Sequence, residues 1–289
     1  MEQRAILRRR LAAGDTLWIP GAYDVLSARL IEEAKFDGIL VSGFGLAASL
    51  LGQPDTELYT MTENLSVVRA VCNVVSLPVM ADGDTGYGNA INVMRAVREF
   101  EAAGAASITF EDQVAPKKCP AVSDQTEVIP FEEAVAKVRA AIAARRDPGL
   151  VIIARTDARD PAEAMRRAKA FAAAGADVIK PISKTFNTLE GLRRLRSACG
   201  RPLAISVLGA IERNLTRADI ESLGGIATFP LVPLLTAAEA VRRNLASIRQ
   251  TLRADALPVP TMPEQEFKRF IGFDEVERLE REFLAETPG

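Results

Sequence analysis

Phe100-Glu101-Ala102-Ala103-Gly104-Ala105 runs straight into the apolar stretch 106–111, and Phe171-Ala172-Ala173-Ala174-Gly175-Ala176 runs in the same way into 177–181. In both copies an alanine-rich helix stops at a glycine, which takes the left-handed position that closes a helix, and a strand starts at once. A repeated helix-to-strand joint implies a chain built of alternating α/β units. Outward from these two joints, β-rich runs recur at 16–20, 38–42, 78–83, 106–111, 150–156, 177–181, 202–207 and 226–230, with longer Ala/Arg/Glu-rich runs between them. An open doubly wound sheet gives the same alternation, but eight units in one chain favour a (β/α)8 barrel. After the eighth strand a helix is expected near 237–253. A proline-rich link, Leu257-Pro258-Val259-Pro260-Thr261-Met262-Pro263, then leads to a last helix around 264–286. We therefore divide the chain into a barrel over 1–255 and a helical extension over 256–289, which exceeds what a barrel needs and is expected to pack elsewhere.

Composition narrows the chemistry. With 289 residues, 48% hydrophobic and 26% charged, the chain reads as a soluble globular enzyme. Its formal net charge of −2 gives no electrostatic case for nucleic acid or an anionic membrane. Arg8-Arg9-Arg10 sits in an amphipathic run and reads as a solvated helix face. No apolar run is long enough to span a bilayer and no signal peptide opens the chain. Three cysteines, Cys72, Cys119 and Cys199, make no disulfide framework, so a cytoplasmic protein with free thiols is expected. There is no histidine. Histidine-based zinc sites, Ser-His-Asp triads and an imidazole base are thereby excluded.

In a barrel the site lies at the carboxyl ends of the strands. There the sequence places Tyr23-Asp24, Ser42-Gly43-Phe44, Asp82-Gly83-Asp84, Glu111-Asp112 and Arg155-Thr156-Asp157. Asp82 and Asp84 are two apart, so on a strand their carboxylates share one face. Two carboxylates at a strand end serve either a hard cation or acid/base chemistry. Oxygen ligands without His or Cys favour Mg²⁺ or Mn²⁺. Such a metal polarises a 2-oxo or 2-hydroxy acid, and Arg155 is expected to take the carboxylate of that acid in a two-point contact. The polar stretch 113–127 after strand four is long for a barrel loop and reads as a lid. In it, Lys117 and Lys118 are expected to favour the thiolate of Cys119 and fit it for acid/base work in a chain without histidine.

Together Pro20-Gly21-Ala22-Tyr23-Asp24, Ser42-Gly43-Phe44-Gly45, Leu51-Gly52-Gln53-Pro54-Asp55, Asp82-Gly83-Asp84-Thr85-Gly86-Tyr87-Gly88, Glu111-Asp112-Gln113 and Ala154-Arg155-Thr156-Asp157-Ala158 resemble the isocitrate lyase / phosphoenolpyruvate mutase superfamily. The nearest branch is that of the short methylisocitrate lyases and carboxyphosphonoenolpyruvate mutase-like proteins. The resemblance implies a (β/α)8 barrel whose C-terminal helices are exchanged between subunits, in dimers that pair into tetramers. It implies a Mg²⁺ site at Asp55, Asp82, Asp84 and Glu111, with Asp82 nearest the metal and the others acting largely through water. Ser42, Gly43 and Phe44 match the loop that holds the substrate carboxylate, and Tyr23 and Asp24 a substrate-facing turn. Arg155 matches an arginine on the substrate. Lys117, Lys118 and Cys119 match the start of the gating loop, where the cysteine is the catalytic acid/base.

Three positions depart from the lyases. Pro120-Ala121 stands for Gly-His, Ile182 for a glutamate after proline, and Ser206 for a substrate-binding asparagine. The half of the pocket for a distal carboxylate is therefore expected to be rebuilt with apolar groups, which argues against methylisocitrate and isocitrate. The function implied is a Mg²⁺-dependent carbon–carbon lyase or decarboxylase on a small 2-hydroxy or 2-oxo di- or tricarboxylic acid. The alternatives are a P–C bond enzyme and a non-catalytic member that binds a 2-oxo acid.

Overall fold

A computed structural model describes residues 2–119 and 125–284. Eight parallel strands close into a barrel in chain order: β1 (Thr16–Ala22), β2 (Ile39–Val41), β3 (Val79–Asp82), β4 (Ser107–Glu111), β5 (Val151–Thr156), β6 (Val178–Pro181), β7 (Leu203–Ser206) and β8 (Gly225–Phe229). β8 pairs with β1 from Thr16↔Gly225 to Pro20↔Phe229, which completes the ring. Every strand overlaps its expected run, and the fold is the (β/α)8 barrel. The two repeat joints are superposable in their bonding. Gly104 and Gly175 have φ of 101° and 105°. The Ala105 N–H donates to the Phe100 carbonyl at 3.1 Å and the Ala176 N–H to the Phe171 carbonyl at 3.0 Å. Only glycine takes that φ cheaply, so each helix ends where the next strand must begin.

The pleat sorts each strand into two faces. Ile108, Ile152, Ile179 and Ile205 face outward into the layer shared with the helices. Leu17, Ile19, Leu40, Met80, Val151, Ile153, Val178, Ala204 and Ile226 fill the barrel interior with Leu7 of the N-terminal helix Glu2–Ala13. Two residues further along the same inward faces, the side chains turn polar: Ser42, Asp82, Arg155, Lys180, Ser206 and Thr228, with Glu111 on β4. The register places them side by side, as in Glu111↔Arg155, Arg155↔Lys180 and Ser206↔Thr228. A dry apolar plug below and a polar ring above follow from one alternation.

Arg8 and Arg10 correct the expectation of a merely solvated face. Arg8 pairs with Asp177 at 3.1 Å, and Arg10 with Asp15 and Asp37, so both tie the first helix to the barrel. The chain divides into two compact units, Met1–Leu235 and Thr236–Gly289. The boundary falls inside the helix Val232–Thr251, which starts earlier than expected, with Pro233 in its first turn where the missing N–H costs nothing. The expected last helix is two, Glu264–Ile271 and Phe273–Phe283, broken at Gly272. No described helix is long and apolar enough to cross a membrane.

Candidate active site

β3 ends at Asp82, so strand pleat is not what brings Asp84 beside it. Asp84 lies in the following turn with φ 48°, a left-handed conformation that a non-glycine residue adopts at a cost. Backbone bonds hold it there: the Gly83 N–H donates to the Thr109 carbonyl at 2.8 Å and the Glu111 N–H to the Asp84 carbonyl at 2.9 Å. The turn thus continues the β3–β4 ladder, and Asp84 is pinned next to Glu111. Its Oδ2 accepts from the Tyr87 hydroxyl at 3.3 Å. Asp82 Oδ2 accepts from the Gly43 N–H at 3.2 Å. A Cβ at Gly43 would stand 2.5 Å from the Tyr59 hydroxyl and 3.0 Å from Asp82 Oδ2, so only glycine lets the two segments approach.

Lys117 occupies a place that sequence reasoning did not give it. Its side chain is 3% exposed, with Nζ 2.6 Å from Asp84 Oδ1, 3.0 Å from Asp55 Oδ1 and 4.0 Å from Glu111 Oε1. Its charge serves this acidic cluster. Two side chains hold its backbone in position. Glu57 Oε2 accepts from the Lys117 N–H at 3.3 Å, and Gln113 Oε1 accepts from the Lys118 N–H at 3.0 Å while Gln113 Nε2 donates to Glu111 at 3.2 Å. Glu57 was missed, since nothing in its local pattern marks it; Gln113 was quoted in a motif without a role. The Lys118 side chain is 46% exposed and faces Glu127 at 3.9 Å, away from the cavity lining. Cys119 is buried, forms no disulfide and lines the cavity. Pro120 and Ala121 lie outside the described residues.

Arg155 is likewise committed. Nη1 lies 2.7 Å from Glu111 Oε2 and Nη2 lies 2.7 Å from Asp157 Oδ1, so its fork is engaged by protein carboxylates rather than open for a two-point contact. Its Nε remains without a hydrogen-bond partner. Ser42 and Phe44 line the cavity, whereas Tyr23 and Asp24 do not. Asp24 instead caps the helix Val25–Glu33, accepting from the Ser27 N–H at 2.7 Å. Tyr23 packs against Gly45, where an added Cβ would come within 2.7 Å of its own Cβ.

Five carboxylates (Asp55, Asp82, Asp84, Glu111 and Asp157) face three cations (Lys117, Arg155 and Lys180), a formal surplus of two negative charges when every acid is ionised. Burial pushes Asp84 up to about 6 and Glu111 up to about 8, against the pull of Lys117 and Arg155. Burial also acts to raise Asp82, but Lys117, Lys180, Arg155 and the Gly43 N–H outweigh it and hold the carboxyl below its ordinary value. Asp55 Oδ1 and Asp84 Oδ1 both approach the Lys117 ammonium, and the Tyr59 hydroxyl also lies beside Asp84. Among the described residues no three acidic side chains converge closely enough to ligate one ion directly. An all-oxygen set with a surplus of two negative charges fits a hard divalent cation that keeps part of its water shell.

The proton affinities give a sign for the metal-free fold. Between the ordinary glutamate value of roughly 4.3 and about 8, the folded chain keeps a proton on Glu111 that the unfolded chain has released. Stability is therefore expected to fall as pH rises through that window, with Asp84 contributing in its lower half. Urea melts in chelator from about pH 5 to about pH 8 check this; a midpoint that climbs with pH would refute it.

The cavity above the ring holds about 310 Å³. Asp55 and Asp82 face it from the β2–β3 side and Lys180, Ser206 and Arg213 from the β6–β8 side. Ile182 lines it with Pro181, Leu208 and Leu231, as expected, but the same wall carries Lys180, Lys184 and Arg213. The far half is therefore cationic as well as apolar, because the inward face of β6 presents residue 180, not residue 182 alone.

A family model described as phosphoenolpyruvate phosphomutase matches residues 7–254. The chain belongs to that family. Within the phosphoenolpyruvate phosphomutase family it is 35% identical over 290 residues to a 2,3-dimethylmalate lyase of Eubacterium barkeri, covering 99% of each chain. It is 38% identical over 257 residues to a phosphonopyruvate hydrolase of Variovorax sp. (strain Pal2), covering 86% of this chain and 88% of the other. A phosphonopyruvate hydrolase solved with oxalate and Mg²⁺ is 34% identical and superposes with a TM-score of 0.88 over 99% of this chain and 100% of its own. The family's relatives are thus lyases and hydrolases of small oxo-acids.

Proposed function

We propose that the chain is a Mg²⁺-dependent enzyme that cleaves a carbon–carbon bond of a small 2-oxo or 2-hydroxy acid, as a lyase or decarboxylase. The carrying observation is the acidic cluster of two-charge surplus that opens through Asp55 and Asp82 onto the cavity. Asp82 is the side chain kept ionised at the cavity wall, and it anchors the cation site with Asp55, Asp84 and Glu111 behind or beside it. Bound there, Mg²⁺ supplies positive charge against the enolate oxygen that develops as the bond breaks. The turn of Ser42, Gly43 and Phe44 next to Asp82 receives the carboxylate of the substrate. Arg155 lines the cavity and positions Glu111 through its Nη1 contact with that carboxylate. Cys119, whose thiol lines the cavity, delivers or removes the proton.

A second reading, cleavage of a P–C bond, draws support from the likeness to the Variovorax phosphonopyruvate hydrolase. One experiment separates them. The chain is incubated with Mg²⁺ or chelator and with alkyl-malates, alkyl-citrates, oxaloacetate or phosphonopyruvate, and NMR follows pyruvate, glyoxylate and decarboxylation products. Metal-dependent turnover of a carbon acid supports the first reading and of phosphonopyruvate alone the second. Absence of Mg²⁺ and Mn²⁺ binding would sink both.

The helices Glu264–Ile271 and Phe273–Phe283 bury nothing, yet Phe267, Ile271, Val276, Leu279 and Phe283 are exposed at helical spacing. This stripe supports association with further copies of the chain, in the dimer-of-dimers arrangement that the resemblance implies. A solution mass equal to the single-chain 31.2 kDa would refute it.

A further inference from the structure

Glu57 stands in a left-handed conformation, φ 59°, which a residue with a side chain adopts at a cost. Its carboxylate gives the fold a reason to keep it there. Oε1 accepts from the Thr85 hydroxyl at 2.5 Å, and Oε2 accepts from the Lys117 N–H at 3.3 Å. Thr85 and Lys117 are both buried. Thr85 is also fastened through its carbonyl, which accepts from the Nζ of buried Lys137 at 2.9 Å.

These contacts join three segments far apart in the chain, and each segment carries one member of the same ion triplet. Asp55 lies two residues before Glu57, Asp84 immediately precedes Thr85, and Lys117 is itself the donor. Within the triplet the Lys117 ammonium lies 2.6 Å from Asp84 Oδ1 and 3.0 Å from Asp55 Oδ1. A lysine stem has much rotamer freedom to lose when its ammonium is fixed. Tying its backbone to the two segments that bear its partners leaves less to be fixed at the ammonium itself. That hold counts against a divalent cation, which has to share Asp55 and Asp84 with the ammonium or displace it. The apparent affinity for the cation falls with the fraction of molecules whose carboxylates are free to receive it.

We propose that Glu57 is a positioning residue that seats Lys117 on Asp55 and Asp84 and thereby sets the affinity of the acidic cluster for its divalent cation. This rests on the reading of that cluster as the cation site. Lys117 is a resident counter-ion, and Glu57 determines how firmly it stays.

Two substitutions separate the contacts of Glu57 from its charge. Glu57→Gln removes the charge but keeps an oxygen for the Lys117 N–H and an amide N–H for the Thr85 oxygen. Glu57→Gly removes charge and contacts together at a φ that glycine adopts readily, so the chain should fold. The first readout needs no metal. Lysines are labelled in chelator with an amine-reactive reagent and followed by mass spectrometry. Lys117 is expected to react slowly in the unaltered chain and in Glu57→Gln, and at least about 10-fold faster in Glu57→Gly, while buried Lys137 stays slow. The second readout is Mn²⁺ titration followed by electron spin resonance. Glu57→Gly is expected to bind Mn²⁺ at least about threefold more tightly than Glu57→Gln, and that gain is expected to vanish when both are combined with Lys117→Met. A merely structural role for Glu57 would not tighten metal binding, nor need Lys117 to do so. Unchanged labelling of Lys117 in Glu57→Gly, or an equal rise at Lys137, overturns the inference. So does absence of the Mn²⁺ gain, or its persistence beside Lys117→Met. If Lys117→Met does not fold, the labelling and the two single variants still decide. Failure of the unaltered chain to bind Mn²⁺ overturns the cation-site reading and the affinity half of this inference, and the labelling then judges the seating of Lys117 by itself.

Discussion

Asp82→Ala is expected to lower turnover by about 1,000-fold or more and to abolish Mn²⁺ binding, while the metal-free fold keeps its stability. Of the acids in the cluster, Asp82 and Asp55 line the cavity, and Asp82 is the one whose carboxyl is held below its ordinary value. Glu111 and Asp84 are pushed the other way, so without metal they partly retain protons. Removing Asp82 takes away the ionised ligand that faces incoming cation and substrate. It does not strand a buried charge, because the cluster already carries more carboxylates than cations. Among the described residues, the N–H groups of Gly43 and Asp84 lose an acceptor. Titration with Mn²⁺ followed by electron spin resonance, beside a thermal melt in chelator, checks both halves. Turnover within tenfold of the unaltered chain would remove Asp82 from the mechanism.

Lys117→Met is expected to do the reverse: to destabilise the metal-free protein by about 3–5 kcal/mol and to tighten divalent-metal binding. Lys117 is the cation nearest Asp84 Oδ1 and Asp55 Oδ1, at 2.6 and 3.0 Å, and all three groups are buried. Taking away the cation leaves buried carboxylates uncompensated, which is the costly way to break a buried ion pair. The loss is expected to be larger near pH 8 than near pH 5, since protons on Asp84 and Glu111 replace the missing charge at the lower pH. Mg²⁺ should recover much of the loss, because a cation in the same region does what the ammonium did. Melts of both chains with chelator and with saturating Mg²⁺ decide the matter. Equal stabilisation of the two by Mg²⁺ would mean that Lys117 and the metal do not share these carboxylates.

The acids of the cluster were legible as residues, and the reason they meet was only half legible. Asp82 and Glu111 follow from strand ends alone. Asp84 was placed by pleat, yet it arrives through a left-handed turn bonded to β4, a feature that needs the neighbouring strand. Asp24 carried the right type for a site and is a helix cap, because a local N–H two or three residues on outcompetes a distant ligand. Arg155 lines the cavity, but its fork is taken by Glu111 and Asp157 on the same barrel rim.

The sequence by itself determined the architecture. Helix stops at Gly104 and Gly175, strand starts immediately after them, and period-two alternation are local properties of the chain, and eight such units close into a ring. It also narrowed the chemistry open to the protein, since a chain without histidine and with acids at the strand ends has carboxylate oxygens and thiols to offer. Tertiary structure alone decided which charges neutralise each other. Lys117 is 33 residues from Asp84 and reaches it only because the backbone after β4 is tied to Glu57 and Gln113. Lys180 lines the cavity beside Arg155, its register neighbour on β5, and comes under the pull of Asp82, Glu111 and Asp157. Pairing energies depend on distance and burial between segments far apart in sequence, and neither quantity exists until the barrel closes.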